Sequence, residues 1–177
     1  NYYYVGADGA VSTTTGWKKI KTSTQTIWYW ATADGGKLLT NSWLDYNGNS
    51  YYLKADGKMA FNEWLDNTYY FRSWGAAYKN AWAKVNNVWY YFNDSGAMQT
   101  GWKNVRSGSS DSIEDYMYFG SDGKAKIGWY SIEPPEDLEG YDGDVEWFYF
   151  SNSGKPRAAD SDRLTVNDLW KVNGRSY

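Results

Sequence analysis

Hydrophobic positions in this chain come as short aromatic runs, not as stripes of helical period. Seven four-residue runs, at 2–5, 28–31, 50–53, 68–71, 89–92, 116–119 and 147–150, are each followed four residues later by glycine, at 9, 35, 57, 75, 96, 123 and 154. Upstream of six runs stands a second marker: Gly16-Trp17, Ser42-Trp43, Glu63-Trp64, Ala81-Trp82, Gly101-Trp102 and Gly128-Trp129. These tryptophans recur every 18 to 27 residues, which is the mark of a tandem array whose unit is about 20 residues with insertions. Aromatic and β-branched residues favour strands, and the Asn47-Gly48 and Asn86-Asn87 pairs between the two markers are tight-hairpin signals. Each unit is therefore predicted to be a strand carrying the first Trp, a turn, a second strand carrying the aromatic run, and a glycine-marked bend. A lone hairpin is marginal in water, so the units must stack and share a core, which predicts an all-β, elongated solenoid of short β-hairpins.

Departures from the period place the insertions. Residues 107–112 extend a turn, and 132–145, with Pro134-Pro135, read as a loop insertion within one repeat. The chain opens inside a unit and closes on Trp170 to Tyr177, where a new hairpin is beginning. Residues 1–177 are accordingly expected to be one array of six to seven repeats, truncated at both ends.

Composition changes the picture in two ways. Aromatic residues make up 20% of the chain, with 12 Trp and 18 Tyr, so burial relies on rings that can sit half packed and half wet. The net charge of -3 supplies no basic footprint, which argues against nucleic acid and anionic lipid as partners. There is no Cys and no His, removing disulfides, thiolate chemistry and the commonest general base and metal ligand. No apolar run approaches the roughly 18 residues of a membrane helix, so no membrane insertion is expected, and a secretory signal would lie outside this sequence.

The stretch from Ala81 to Trp102, AWAKVNNVWYYFNDSGAMQTGW, resembles the choline-binding, or cell-wall-binding, repeat of Gram-positive surface proteins and lytic enzymes. The resemblance implies a left-handed solenoid of hairpins that binds choline or phosphocholine of teichoic acids in cages of three aromatics. Ring faces suit a quaternary ammonium, which donates no hydrogen bond, at about 0.5 to 2 kcal/mol per cation–π contact. In the family pattern a cage takes the first Trp and the first run residue of one hairpin and the third run residue of the next. Carried over, the complete sets are Trp17, Trp28 and Tyr52; Trp82, Trp89 and Tyr118, with Met98 as a wall; and Trp102, Tyr116 and Tyr149. Ser50 and Thr68 stand where a ring is needed, leaving partial sites of Trp43 with Tyr70 and Trp64 with Tyr91, while Trp129 and Trp147 lack a third partner. Tyr90 and Phe92 are read as core.

The acidic stretch Glu133, Glu136, Asp137, Glu139, Asp142, Asp144 and Glu146 lacks the alternating spacing of a calcium loop and is read as solvated. Its carboxylate pairs are the sole enzymatic hint, in a segment poorly suited to holding two carboxyls at fixed separation. The expected function is a non-catalytic, extracellular, cell-wall-associated anchoring module without cofactor or metal, any catalytic domain lying elsewhere and homodimerisation being open. The alternative is a glucan-binding array stacking the same rings on sugars, and a third reading is a spacer or protein-docking surface.

Overall fold

The structure, a computed structural model, describes residues 1–105, 116–135, 145–158, 171–172 and 175–176. The 107–112 extension, residues 136–144 of the loop insertion and Trp170 lie outside the described residues. Every regular element among the described residues is a strand: β1 (Gly16–Lys21), β2 (Thr26–Ala31), β3 (Ser42–Tyr46), β4 (Asn49–Leu53), β5 (Trp64–Leu65), β6 (Tyr69–Tyr70), β7 (Ala81–Val85), β8 (Val88–Phe92), β9 (Gly101–Asn104), β10 (Tyr116–Phe119), β11 (Gly128–Ile132), β12 (Glu146–Phe150), β13 (Pro156–Ala158), β14 (Lys171–Val172) and β15 (Arg175–Ser176). Consecutive strands pair as antiparallel hairpins, with β13 added to the β11–β12 pair, so the all-β class and the hairpin assignment agree with the sequence reading. The chain divides into two units, Asn1–Trp82 with Phe92–Met98 and Ala83–Tyr91 with Gln99–Tyr177.

Turn chemistry explains the hairpins. Asn47 and Gly48, Asp66 and Asn67, and Asn86 and Asn87 all have positive φ, the requirement of the tight turn that matches strand twist. The entry to each first strand is solved in two ways. Where Gly precedes the Trp, as at Gly16, Gly101 and Gly128, that glycine is left-handed; where it does not, Asn41, Asn62 and Asn80, two residues before Trp43, Trp64 and Trp82, take φ between 42 and 48°. The apparent loss of Gly in those repeats is thus a relocation of the left-handed residue to Asn, which tolerates that conformation best among non-glycines.

After each run the marker glycine closes one recurring bend. In the first unit Lys54 N–H donates to Lys58 O at 2.9 Å and Arg72 N–H to Ala76 O at 2.8 Å; in the second, Gly120 N–H donates to Lys124 O at 3.0 Å. The chain then bridges back onto the run's fourth residue: Leu53 to Met59, Phe71 to Ala77, Phe92 to Met98 and Phe119 to Ala125. The bridging residue also ties its hairpin to the preceding one. In the first unit Leu38 N–H reaches Tyr2 O, Met59 N–H Trp28 O, Ala77 N–H Ser50 O and Met98 N–H Thr68 O; in the second Ala125 N–H reaches Trp89 O, all at 2.8 to 3.0 Å. The acceptor is in every case the first residue of a run. This single repeated backbone bond sets the register between successive hairpins.

Each unit packs around the fourth run residue. Leu53, Phe71 and Phe92 in the first unit and Phe119 and Phe150 in the second are fully buried, and Tyr90 is buried as expected. One close approach tests the packing: a Cβ on Gly36, at φ 76°, would lie 1.9 Å from Ser12 O, a backbone atom, whereas a Cβ on neighbouring Gly35, at φ 59°, meets nothing within 4 Å. Gly35→Ala should therefore cost only the left-handed strain, about 1–2 kcal/mol, and Gly36→Ala distinctly more. Urea midpoints of the two variants measure the difference, and equal losses would refute the close approach.

Candidate aromatic binding sites

The hairpin register decides which rings meet. Along a run, residues two and four share a face and residues one and three share the other. The third residue is used within its own hairpin, directly opposite the first Trp: Trp17 faces Trp30, Trp43 Tyr52, Trp64 Tyr70, Trp102 Tyr118 and Trp129 Tyr149, at centroid distances of 5.1 to 5.5 Å. What the next hairpin offers to that Trp is its second run residue. Tyr51 meets Trp17 at 5.0 Å, Tyr69 meets Trp43 at 4.9 Å and Phe148 meets Trp102 at 5.0 Å, each edge-on.

These contacts correct the assigned triads. Tyr52 lies against Trp43 and Phe71, not with Trp17 and Trp28. Tyr118 lies against Trp102 and Phe150, not with Trp89. Tyr149 lies against Trp129 at 5.3 Å, Tyr116 is buried, and neither joins Trp102, whose ring neighbours are Tyr118, Phe148 and Phe150. Trp102 moreover donates its indole N–H to Glu133 O at 2.7 Å, so the start of the 132–145 insertion covers its polar edge. Met98 donates its backbone N–H to Thr68 O, as Ala125 does to Trp89 O.

Of the partial sites, Tyr70 pairs with Trp64 at 5.1 Å instead of joining Trp43. Trp147 stands opposite Ser131 and is 56% exposed. At the ring-less position of the second hairpin, Ser50 is buried, donates to the Asp45 carboxylate and accepts from Lys79 Nζ at 3.1 Å. A polar network with a protein ammonium occupies the place where other hairpins present an indole.

One ring-lined cavity of about 160 Å³ emerges in the first unit, walled by Trp17, Trp28, Tyr51 and Trp74 with Met59. Trp17 and Trp28 meet edge to face at 6.3 Å, and Tyr51 and Trp74 at 6.2 Å. The Met59 N–H to Trp28 O bond holds the two residues together at the cavity they both line. Trp74, 52% exposed, stands immediately before the marker Gly75, where other repeats carry Asp or Ser, and that anomaly was the legible sign of a fourth wall. The volume is close to the roughly 150 Å³ that holds one benzene-sized molecule, and a lining of four aromatic side chains suits a methylated cation.

Burial, aided by the neighbouring Tyr46, holds the Tyr51 phenol above its ordinary pKa of 10.0. The folded state therefore keeps that proton when the unfolded chain has begun to lose it, and the associated stability is full below pH 10 and lost as pH rises through the raised folded value. The melting temperature should respond accordingly, with no Tyr51-linked change from about pH 6 to 9 and a fall above about 10 that is reduced in Tyr51→Phe.

In the second unit a larger cavity, about 340 Å³, opens beside Trp89. Its lining includes Lys84, Asp122, Lys124, Lys126 and Tyr130. Lys84 Nζ lies 5.7 Å from the Trp89 ring and Lys126 Nζ 5.4 Å from Tyr130, while Lys124 pairs with Asp122 at 3.0 Å. Lys19 stands likewise 5.8 Å from Trp28 but is not part of the first cavity's lining.

Comparison with known proteins accords with this arrangement. Residues 37–76 match the choline-binding repeat and residues 80–98 the putative cell wall binding repeat. Choline binding protein F of Streptococcus pneumoniae superposes over 100% of this chain and 54% of its own, with TM-score 0.62 and 28% identity. The choline-binding domain of CbpL from the same species covers 99% of this chain and 81% of its own, with TM-score 0.56 and 25% identity. Among curated sequences, a putative endo-beta-N-acetylglucosaminidase of S. pneumoniae is 30% identical over 52% of this chain, and glucosyltransferase-S of Streptococcus mutans is 25% identical over 72%. The chain spans only 14% and 9% of those two relatives. The repeats matched at residues 37–76 and 80–98 and the hairpin fold together make this chain similar to the choline-binding repeat proteins.

Proposed function

We propose that this chain is a non-catalytic, cell-wall-binding module that holds choline groups of teichoic acids in aromatic cavities between hairpins. The cavity of Trp17, Trp28, Tyr51 and Trp74 over Met59 carries the proposal. It offers ring faces and a thioether to a trimethylammonium group and requires no carboxylate from the protein. The remaining hairpins order this cavity and present further rings, so that weak individual sites add up to firm attachment through effective concentration. The module is extracellular in this reading and has a binding role, not a catalytic one.

The similarity to glucosyltransferase-S keeps a glucan-stacking role as the second reading. Isothermal titration with choline and, separately, with dextran oligosaccharides distinguishes them. Saturable choline binding accompanied by Trp fluorescence change and a raised melting temperature is the expected result. Binding of the oligosaccharide with no response to choline would overturn the proposal in favour of the glucan reading.

A further inference from the structure

The cavity beside Trp89 is chemically unlike the one in the first unit. Ala125 holds the position of Met59, and Met117, at the run position of Tyr51, is buried. Asn152 lines the cavity close to where Trp74 stands in its own repeat, just before the marker glycine. Rings have been lost and ammonium groups gained: three lysines against one aspartate, in a chain whose net charge is -3. Asp122 is engaged by Lys124, and among the described residues neither Lys84 nor Lys126 has a carboxylate within salt-bridge distance. A quaternary ammonium entering here would meet like charges at the two ring faces it needs.

We propose that this second cavity binds a phosphate-bearing saccharide, the sugar packing against Trp89 and the phosphate held by Lys84 and Lys126. Three features converge. The volume of about 340 Å³ falls in the range of small-molecule sites and exceeds twice that of the first cavity, leaving room for a sugar ring with its anion. Trp89 is 36% exposed, so part of its indole is available as an apolar platform for the C–H face of a sugar. Lysine ammonium groups bind phosphate as point charges, and two of them share one concave lining with that platform. The inference is independent of the choline reading, because it uses another unit and another ligand charge.

Glucose 6-phosphate, glucose, inorganic phosphate and choline, titrated separately into the full chain, test it. Glucose 6-phosphate should bind saturably and more tightly than either glucose or inorganic phosphate, and weaken as sodium chloride rises to about 0.3 M. Lys84→Ala combined with Lys126→Ala should weaken it at least tenfold while leaving choline binding and the melting temperature unchanged. Trp74→Ala should do the reverse, weakening choline and sparing glucose 6-phosphate. The proposal is overturned if glucose 6-phosphate binds no better than glucose, if inorganic phosphate alone binds as well, or if the double lysine variant binds it like the parent chain. Failure of choline alone would sink the proposed function and leave this one standing.

Discussion

Trp28→Ala is expected to reduce choline affinity by 30-fold or more, the largest functional effect of any single substitution in the chain. The indole forms one wall of the first cavity and meets Trp17 edge to face. Removing it deletes a cation–π contact of about 0.5 to 2 kcal/mol and also opens the cavity, exposing the methyl groups to water; together these are worth about 2 to 3 kcal/mol. At about 1.4 kcal/mol per tenfold, that is roughly a 30- to 100-fold loss. The backbone carbonyl that accepts from Met59 N–H survives the substitution, so the hairpin register should hold. A paired comparison sharpens the result: Tyr51→Ala should lose choline nearly as severely, whereas Tyr52→Ala, one residue along, should keep it and lose stability. Titration calorimetry on the three variants decides, and equal binding by Tyr51→Ala and the parent chain would show that the cavity does not hold the ligand.

Phe71→Ala should be the most damaging core substitution in the first unit, at about 3 to 5 kcal/mol. The ring is fully buried among Ala60 and Ala77, with Tyr52, Leu65 and Tyr69 packed around it, and Trp43 lies 5.6 Å away. It belongs to a two-strand hairpin whose strands are only two residues each, Trp64–Leu65 and Tyr69–Tyr70, so few ladder bonds compensate for the cavity. Against a typical stability of about 5 to 15 kcal/mol this is enough to unfold neighbouring hairpins. Urea denaturation followed by Trp fluorescence should show a lower midpoint and, because repeats couple through nearest neighbours, a broader transition. An unchanged midpoint would mean that Phe71 does not bind adjacent hairpins together.

Much of the site's membership was legible in the sequence, and its pairing was not. Trp17 and Trp28 were identified from the repeat markers, and they do line one cavity. The third ring was placed one residue too far along, at Tyr52. In a strand a shift of one residue reverses the face, so this small error sent the side chain to Trp43 instead of Trp17. Trp74 lies in a bend, outside both markers, and escaped a search built on them. The lysines beside Trp89 escaped for a similar reason: Lys84, Lys124 and Lys126 are ordinary surface residues in sequence, and they become one site only when a bend is laid against the preceding hairpin by the Ala125 to Trp89 bond.

The sequence by itself determined the hairpins, because their causes are local: aromatic runs that favour strands, Asn and Gly pairs that accept positive φ, and a marker glycine that closes each bend. It also marked Tyr90 and Phe92 as core, and both are buried. Which ring faces which cavity was decided only in the tertiary structure. The deciding contact is a backbone hydrogen bond from Leu38, Met59, Ala77, Met98 or Ala125 to the preceding run, and a backbone group leaves no side-chain signature for a sequence pattern to display.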